Sequence, residues 1–206
     1  MPKNAGKMQF FFLNGLKLAV FPRVYEPSDD SFLLAENAEI AKGCCVLDLG
    51  TGSGIQGINA AMKGAARIVC TDVNESALKN AEENAKKAGF SERFEFRQGS
   101  LFECIGKREK FDAIVFNPPY VPSGEKRFVD LDGGRKGRET LDKFLEGFGE
   151  HLKKNGKCFF LQSSLNGKKE TAKALKKNGF GARVVARKRL FFEELVVFRA
   201  EKRQSK

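Results

Sequence analysis

Asn117-Pro118-Pro119-Tyr120 follows an apolar run at residues 111–116 that reads as a buried strand, and its residue types suit one task, holding a planar NH2 group. The nitrogen of an amide, or of an exocyclic amine on a nucleobase, is a poor nucleophile because its lone pair is delocalised into the adjacent π system. To be methylated it must be held and aimed. An Asn side-chain oxygen and the carbonyl of Pro118 can each accept one of its hydrogens and turn the lone pair toward an electrophile. The two prolines restrict the turn. Tyr120 offers a flat face on which a planar amide or base can stack.

A second cluster supplies a cradle. Residues 45–49, Cys-Val-Leu-Asp-Leu, read as a buried strand running into Gly50-Thr51-Gly52-Ser53-Gly54, with a helix expected over 55–62. Glycines let a backbone approach a ligand closely, and the loop delivers that ligand to the positive end of the helix. Gly52, Gly54 and Gly57, with Asp72 placed 20 residues after Gly52, also fit the dinucleotide fingerprint of a dehydrogenase. Asp48 separates the two readings. Its carboxylate, expected at the strand end and pointing into the cradle, would repel a pyrophosphate. It would attract the ammonium and sulfonium of S-adenosylmethionine. Asp72, at the end of a strand over 66–71, can accept both ribose hydroxyls under either reading.

With those residues in view, the chain resembles the HemK branch of class I methyltransferases, in the archaeal and eukaryotic form that methylates the glutamine of the Gly-Gly-Gln motif in class 1 peptide release factors. Three stretches carry the resemblance: Val24-Tyr25-Glu26-Pro27-Ser28-Asp29-Asp30-Ser31-Phe32-Leu33-Leu34; the glycine loop paired with Asn117 to Tyr120; and Gly133-Gly134-Arg135-Lys136-Gly137-Arg138-Glu139. The second is shared with adenine methyltransferases of DNA and RNA. The first and third are specific to the branch.

The resemblance implies S-adenosylmethionine as cofactor, no metal, and direct methyl transfer that needs positioning rather than a strong base. Asn117, Pro118, Pro119 and Tyr120 are the expected catalytic residues. Asp48 and the backbone of Gly50, Thr51, Gly52 and Gly54 would hold the methionine part. Asp72, Val73 and Asn74 would hold the ribose and one adenine edge, with Asn117 also beside the cofactor. Ser100 stands where the family usually has an acid facing the adenine amine, so its hydroxyl would give a weaker contact; Leu101 follows it. Ser31 stands where a threonine is usual and would line the pocket with Tyr25, unless it only caps a helix over 32–41. Substrate would be met by Asn117, Pro118 and Tyr120, and by Arg135 and Arg138 on a glycine-rich lid over 133–138. The alternative is an adenine N6 methyltransferase acting on DNA or RNA, which the basic end of the chain would suit. Against it, base-flipping enzymes on duplexes usually add a recognition domain, and 206 residues leave nothing over to make one. A non-catalytic relative that keeps only the fold is opposed by intact Asp48, Asp72 and Asn117. The branch works with a small zinc-binding activator that extends the sheet, and Arg93-Phe94-Glu95-Phe96-Arg97 is the expected open edge strand.

These groups need a scaffold to bring them together. Strand-like runs at 45–49, 67–71, 93–98, 113–116, 157–162, 182–186 and 190–199, with helices between the first six, predict an α/β, Rossmann-like class I methyltransferase fold. Its sheet would have seven strands, mostly parallel, with helices on both faces. The short 187–189 connection makes the last strand antiparallel. Asn74 should cap a helix over 75–87 that ends at Gly89. A helix over 139–152 should bury Leu141, Phe144, Leu145 and Phe148. Residues 10–13 and 16–20, joined by Asn14-Gly15, predict a hairpin that would form a small N-terminal lid. One domain spans 1–206, with 1–24 as the hairpin extension and a disordered tail over 202–206.

Charge and composition limit the rest. Residues 1–150 hold 21 basic against 22 acidic side chains, whereas 151–206 hold 16 against 4, so the net charge of +11 belongs to the last quarter. That quarter is either a patch for an acidic or RNA-bearing partner or a solvated face, as on the helix carrying Lys168, Lys169, Lys173, Lys176 and Lys177 over apolar Ala172 and Leu175. Five cysteines without Cys-x-x-Cys spacing, no run long enough to span a membrane and no secretory signal indicate a soluble, cytoplasmic protein with reduced thiols. His151, the only histidine, is expected to be structural or solvent-facing.

Overall fold

The computed structural model describes residues 7–120, 134 and 137–203. The elements run β1 Gln9–Leu13, β2 Leu16–Val20, α1 Asp29–Asn37, β3 Cys45–Leu49, α2 Ile55–Met62, β4 Arg67–Asp72, α3 Glu75–Lys87, β5 Phe94–Gln98, β6 Phe111–Phe116, α4 Glu139–Gly147, β7 Leu152–Ser163, α5 Lys168–Lys177, β8 Phe180–Arg189 and β9 Glu194–Lys202. A helix separates successive strands from β3 to β8 except between β5 and β6, where one was expected and the chain instead passes through turns over 99–110. Seven of these strands form one sheet in the order β5-β4-β3-β6-β7-β9-β8, parallel except for β9, which runs antiparallel to both neighbours.

Helices cover both faces because alternate side chains of the central strands point to opposite sides. On one side Leu47, Leu49, Ile114 and Phe160 meet Leu141, Phe144, Leu145 and Phe148 of the α4 segment and Leu175 of α5. On the other, Val46, Ile68, Val115 and Phe159 meet Leu34 and Ala38 from the α1 segment and Ala60 and Ala61 of α2. Strand order reverses between β3 and β6, so a crevice opens beyond their carboxyl ends. Leu49 lies opposite Phe116 in the register. Gly50 and Asn117 therefore leave the sheet side by side, which brings the two motifs together although they are far apart in the chain.

Several boundaries differ from expectation. The α1 helix begins at Asp29, three residues before the expected start, so Ser31 lies inside its first turn and caps nothing; Asp29 and Asp30 there complement the helix dipole. The helix that begins at Glu139 stops at Gly147, followed by one 3-10 turn, Phe148–Glu150, and β7 starts at Leu152 rather than 157. The last two strands turn at 190–193 rather than 187–189, and β9 runs on through Lys202, where a disordered tail was expected to begin, with the Arg203 amide donating to the Gly179 carbonyl at 3.0 Å. Ala172 is exposed; Thr171 and Leu175 are the buried positions of α5. His151 is buried, its ring stacked on Phe102 and Nδ1 bonded to the Glu109 carbonyl at 3.1 Å.

The hairpin forms around Asn14 and Gly15, both left-handed, as a primed Asn-Gly turn requires. It is not a lid, because no residue of β1 or β2 lines the crevice. It packs on α2 and α3, where the buried Asn80 and Asn84 bond to its backbone: Asn80 to Ala19 and Phe21, Asn84 to both groups of Ala19.

Candidate active site

The crevice is a cavity of about 240 Å³ at the switch point. Its floor is the glycine loop. Gly50, Gly52 and Gly54 all have positive φ, and a side chain at Gly52 would enter open space. Gly50, Thr51 and Gly52 line the cavity, whereas Gly54 stands behind them as the N-cap of α2, against Ala81.

Asp48 departs from expectation. It does not line the cavity. Strand alternation turns its carboxyl under the loop, where Oδ2 accepts from Thr51 Oγ1 at 2.7 Å and from the Gly57 amide at 2.9 Å. Oδ1 is buried without a partner. Burial pushes the carboxyl up to about 7, with the charge of Asp72 adding to the effect. Asp72 does line the cavity. Its Oδ2 accepts from the Gly52 amide at 3.0 Å and Oδ1 from the Asn74 amide at 2.9 Å, while burial raises its pKa. Each oxygen keeps a lone pair for a further donor.

Val73, Asn74, Ser100 and Leu101 line the same side. Val73 is an apolar side chain left 56% exposed at the rim. Leu101 has a φ of 48°, a conformation that costs a branched side chain energy, so the turn that presents it is fixed by its surroundings.

On the opposite wall stand Tyr25, Ser31, Asn117, Pro118, Pro119 and Tyr120. Their organiser is Asp30, which the sequence did not single out. Only 1% exposed, its carboxylate accepts from six donors. These are Tyr25 Oη at 2.8 Å, Ser28 Oγ at 3.0 Å, the Ser31 amide at 2.5 Å, Ser31 Oγ at 2.9 Å, Asn117 Nδ2 at 3.2 Å and Tyr120 Oη at 3.2 Å. Burial, then the charge of Asp30, raises the pKa of both phenols, which keeps them protonated as donors. With Asn117 Nδ2 committed to Asp30, the other end of that amide, Oδ1, is buried and unpartnered. Gln56 and Ser53, also lining the cavity, each leave a buried oxygen unpartnered. Gln56, Phe116 and Thr140 are further lining residues that sequence reasoning missed; Gln56 is a helical residue with no motif to mark it.

Of the expected substrate contacts, Arg135 lies outside the described residues, as do Gly133 and Lys136. Arg138 is described and turned inward. Its guanidinium pairs with both oxygens of Asp142, the shorter contact 2.6 Å, and donates to the Asn166 and Gly167 carbonyls and to Thr171 Oγ1. It ties α4 to α5 and does not reach for substrate. Among the described residues no cluster suited to a metal ion occurs, and no helix is long and apolar enough to cross a membrane.

Residues 40–191 match the family model of a methyltransferase domain. A Methanocaldococcus jannaschii protein with the provisional name protein N5-glutamine methyltransferase is 44% identical over 91% of this chain and 96% of its own length. Human methyltransferase HEMK2 is 33% identical over 77% of this chain and 80% of its own. A chain in the structure of the E. cuniculi Mtq2–Trm112 complex, which methylates the translation termination factor eRF1, superposes with a TM-score of 0.66. It is 26% identical and covers 88% of this chain and 99% of that one.

Proposed function

This chain belongs to the S-adenosylmethionine-dependent methyltransferases, in the branch that methylates protein glutamine, and from that footing we propose that it methylates N5 of the glutamine in the Gly-Gly-Gln motif of a class 1 peptide release factor. The observation that carries the reading is the state of Asn117. Its nitrogen is fixed by Asp30 and its oxygen is left as an unpartnered acceptor in the wall of the cavity. A buried acceptor without a donor is costly, and one hydrogen of a substrate amide satisfies it. The Pro118 carbonyl takes the other. Held by both hydrogens, the amide plane is set and its nitrogen faces the cofactor side of the cleft, with Tyr120 flanking it.

S-adenosylmethionine, when bound, supplies an electrophilic methyl group. The chain's residues suit it without any metal. Asp72 has lone pairs to spare for the ribose hydroxyls, Val73 and Leu101 give apolar flanks for the adenine, and Ser100 gives its amine a weak acceptor. The open backbone of Gly50 to Gly52, with the orphan oxygens of Ser53 and Gln56, supports the amino-acid end. Tyr25 and Ser31, both tied to Asp30, close the wall between cofactor and substrate. Asp48 acts from beneath, as a rigid acceptor that shapes the loop.

A small zinc-binding activator is the second partner we assign, at the edge strand β5, and the cytoplasm is the site of action, since the substrate belongs to translation and all five cysteines are free thiols. The deciding experiment incubates the enzyme and labelled S-adenosylmethionine with release factor in one tube and with tRNA, ribosomal RNA or DNA in others. Label on the release-factor glutamine is expected; label on nucleic acid alone would overturn the reading.

A further inference from the structure

The turn joining β8 to β9 is closed by the Leu190 amide donating to the Glu193 carbonyl at 2.8 Å. The two residues at its tip are Phe191 and Phe192, 92% and 85% exposed, with their rings edge to face at 4.6 Å. Tight turns ordinarily place Gly, Asn, Asp or Ser at such positions. Here two large apolar side chains stand in water without adding to any core cluster.

Their place in the fold gives them a use. Leu195 pairs with Ser163 in the antiparallel register, so the turn stands at the end of the sheet where β6 and β7 finish and the cleft opens. Leu165, 63% exposed, follows β7 at that end. Its neighbour Asn166 donates to the Tyr120 carbonyl at 2.9 Å, and the Glu194 amide donates to Ser164 Oγ at 3.0 Å. Lys188 reaches Asp29, next to Asp30, at 2.8 Å. The apolar tip is thus fixed on rigid strands beside the acceptor wall. Arg187, Lys188 and Arg189 lie along the strand that leads to it, all three exposed.

We propose that Phe191 and Phe192, with Leu165, form the docking point for the folded protein substrate, taking an apolar patch on the release factor while its glutamine-bearing loop reaches Asn117. The inference rests on the protein-glutamine reading and adds where that protein is gripped. A nucleic acid is less well served. The edge-to-face pair does not present two parallel stacking faces. Arg187, Lys168 and Lys188 are already paired with Glu194 or Asp29 rather than held ready for phosphates. Aromatic side chains, Phe among them, are enriched in the buried centres of protein–protein interfaces.

The test compares the parent with a Phe191→Ser/Phe192→Ser double variant on two substrates, a class 1 release factor and a short peptide spanning its Gly-Gly-Gln motif. The double variant should raise KM for release factor by about tenfold or more, leaving kcat, peptide turnover and cofactor Kd within about twofold. Leu165→Ser should move KM the same way by less. An unchanged KM for release factor in an active double variant overturns the docking assignment alone. So does a parent that dimerises through the pair, with KM unmoved when the dimer is broken. A parent that methylates neither substrate fails the protein-glutamine reading itself and takes this inference with it.

Discussion

At the scale of single residues the site is built around two buried carboxylates with opposite jobs. Asp30 collects donors from two distant stretches of the chain, 25–31 and 117–120, and so fixes Asn117 and both tyrosines. Asn117→Ala should abolish transfer while leaving cofactor Kd within about threefold, because its loss belongs to the chemical step; equal methylation by parent and variant would refute the role. In Asp30→Asn one oxygen becomes an NH2 that opposes the donors aimed at it, and the Asn117 amide loses its anchor. Here kcat should fall by about a hundredfold, more than KM or cofactor Kd, as displacement by about 1 Å can cause; a change in KM alone would mean Asp30 does not act through Asn117. Asp48 is buried beneath the loop, and that burial raises its carboxyl to about 7. An acid raised in the fold holds its proton where the unfolded chain has lost it. Its contribution to stability is therefore complete below the unfolded pKa of about 4 and is lost as pH rises through about 7. Asp48→Asn escapes that loss. The stability of the parent relative to this variant should drop by a few kcal/mol between about pH 5 and about pH 8, following a slope of roughly 1.4 kcal/mol for each pH step of one while the two states differ by a proton. Urea unfolding across that range checks it, and a constant difference would show that Asp48 is ionised throughout.

At the scale of elements, close approach decides more than propensity does. Gly54, at a φ of +85°, would bring a Cβ within 3.0 Å of the Ala81 backbone, and Gly57 would bring one within 3.0 Å of Cys70 Sγ and of the Phe94 ring. Gly54→Ala meets strain and an unyielding backbone together, and should cost about 2–4 kcal/mol. Gly57→Ala meets side chains that can shift, and should cost about 1–2 kcal/mol. Thermal unfolding should rank them in that order; a Gly54→Ala protein as stable as the parent would show that α2 and α3 separate freely. The same region shows what a sequence discloses. β3, α2 and α3 fall where their patterns put them, because a buried strand, a glycine loop and an Asn-capped helix are each written in consecutive residues. What depends on contacts between distant residues is not legible there. Asp29 and Asp30 stand in the sequence only as two acids ahead of the expected helix, and the fold alone brings Asp30 against Asn117, 87 residues on. Strand alternation, which turns Asp48 under the loop, is visible in principle, but the glycine motif beside it points to the ligand instead. Leu190, Phe191 and Phe192 have strong strand propensity and read as strand; a single backbone hydrogen bond makes them a turn.

At the scale of the whole molecule the sheet has two ends with different surfaces, and they suit different partners. On β5, Phe94 and Phe96 stack at 5.7 Å, while Glu95 and Arg97 form a ring of ion pairs with Arg67 and Glu109 at 2.6–2.9 Å. Those charges neutralise one another, and Glu109 is held down to about 2 by its arginines, so they guard the edge weakly against an incoming strand. At the other end β8 carries Arg183, Arg187, Lys188 and Arg189, of which Arg183, Arg187 and Lys188 pair with Glu39, Glu194 and Asp29; these are four positive side chains on one edge strand against the balanced charges of β5. Under the proposed partnership, strand addition by an activator is expected at β5, which leaves the Phe191–Phe192 tip at the far end clear for substrate. Co-expression with a Trm112-type activator should give a one-to-one heterodimer with higher turnover than the chain alone. Glu95→Pro, which removes a backbone donor from the edge strand, should abolish association. The Phe191→Ser/Phe192→Ser variant should bind the activator as the parent does, since the strand order sets the two surfaces at opposite edges. Size-exclusion chromatography with light scattering reads all three proteins. A parent that stays monomeric and gains no activity from the activator would remove β5 as an interface, and loss of the heterodimer in the phenylalanine variant would move the activator to the hairpin end.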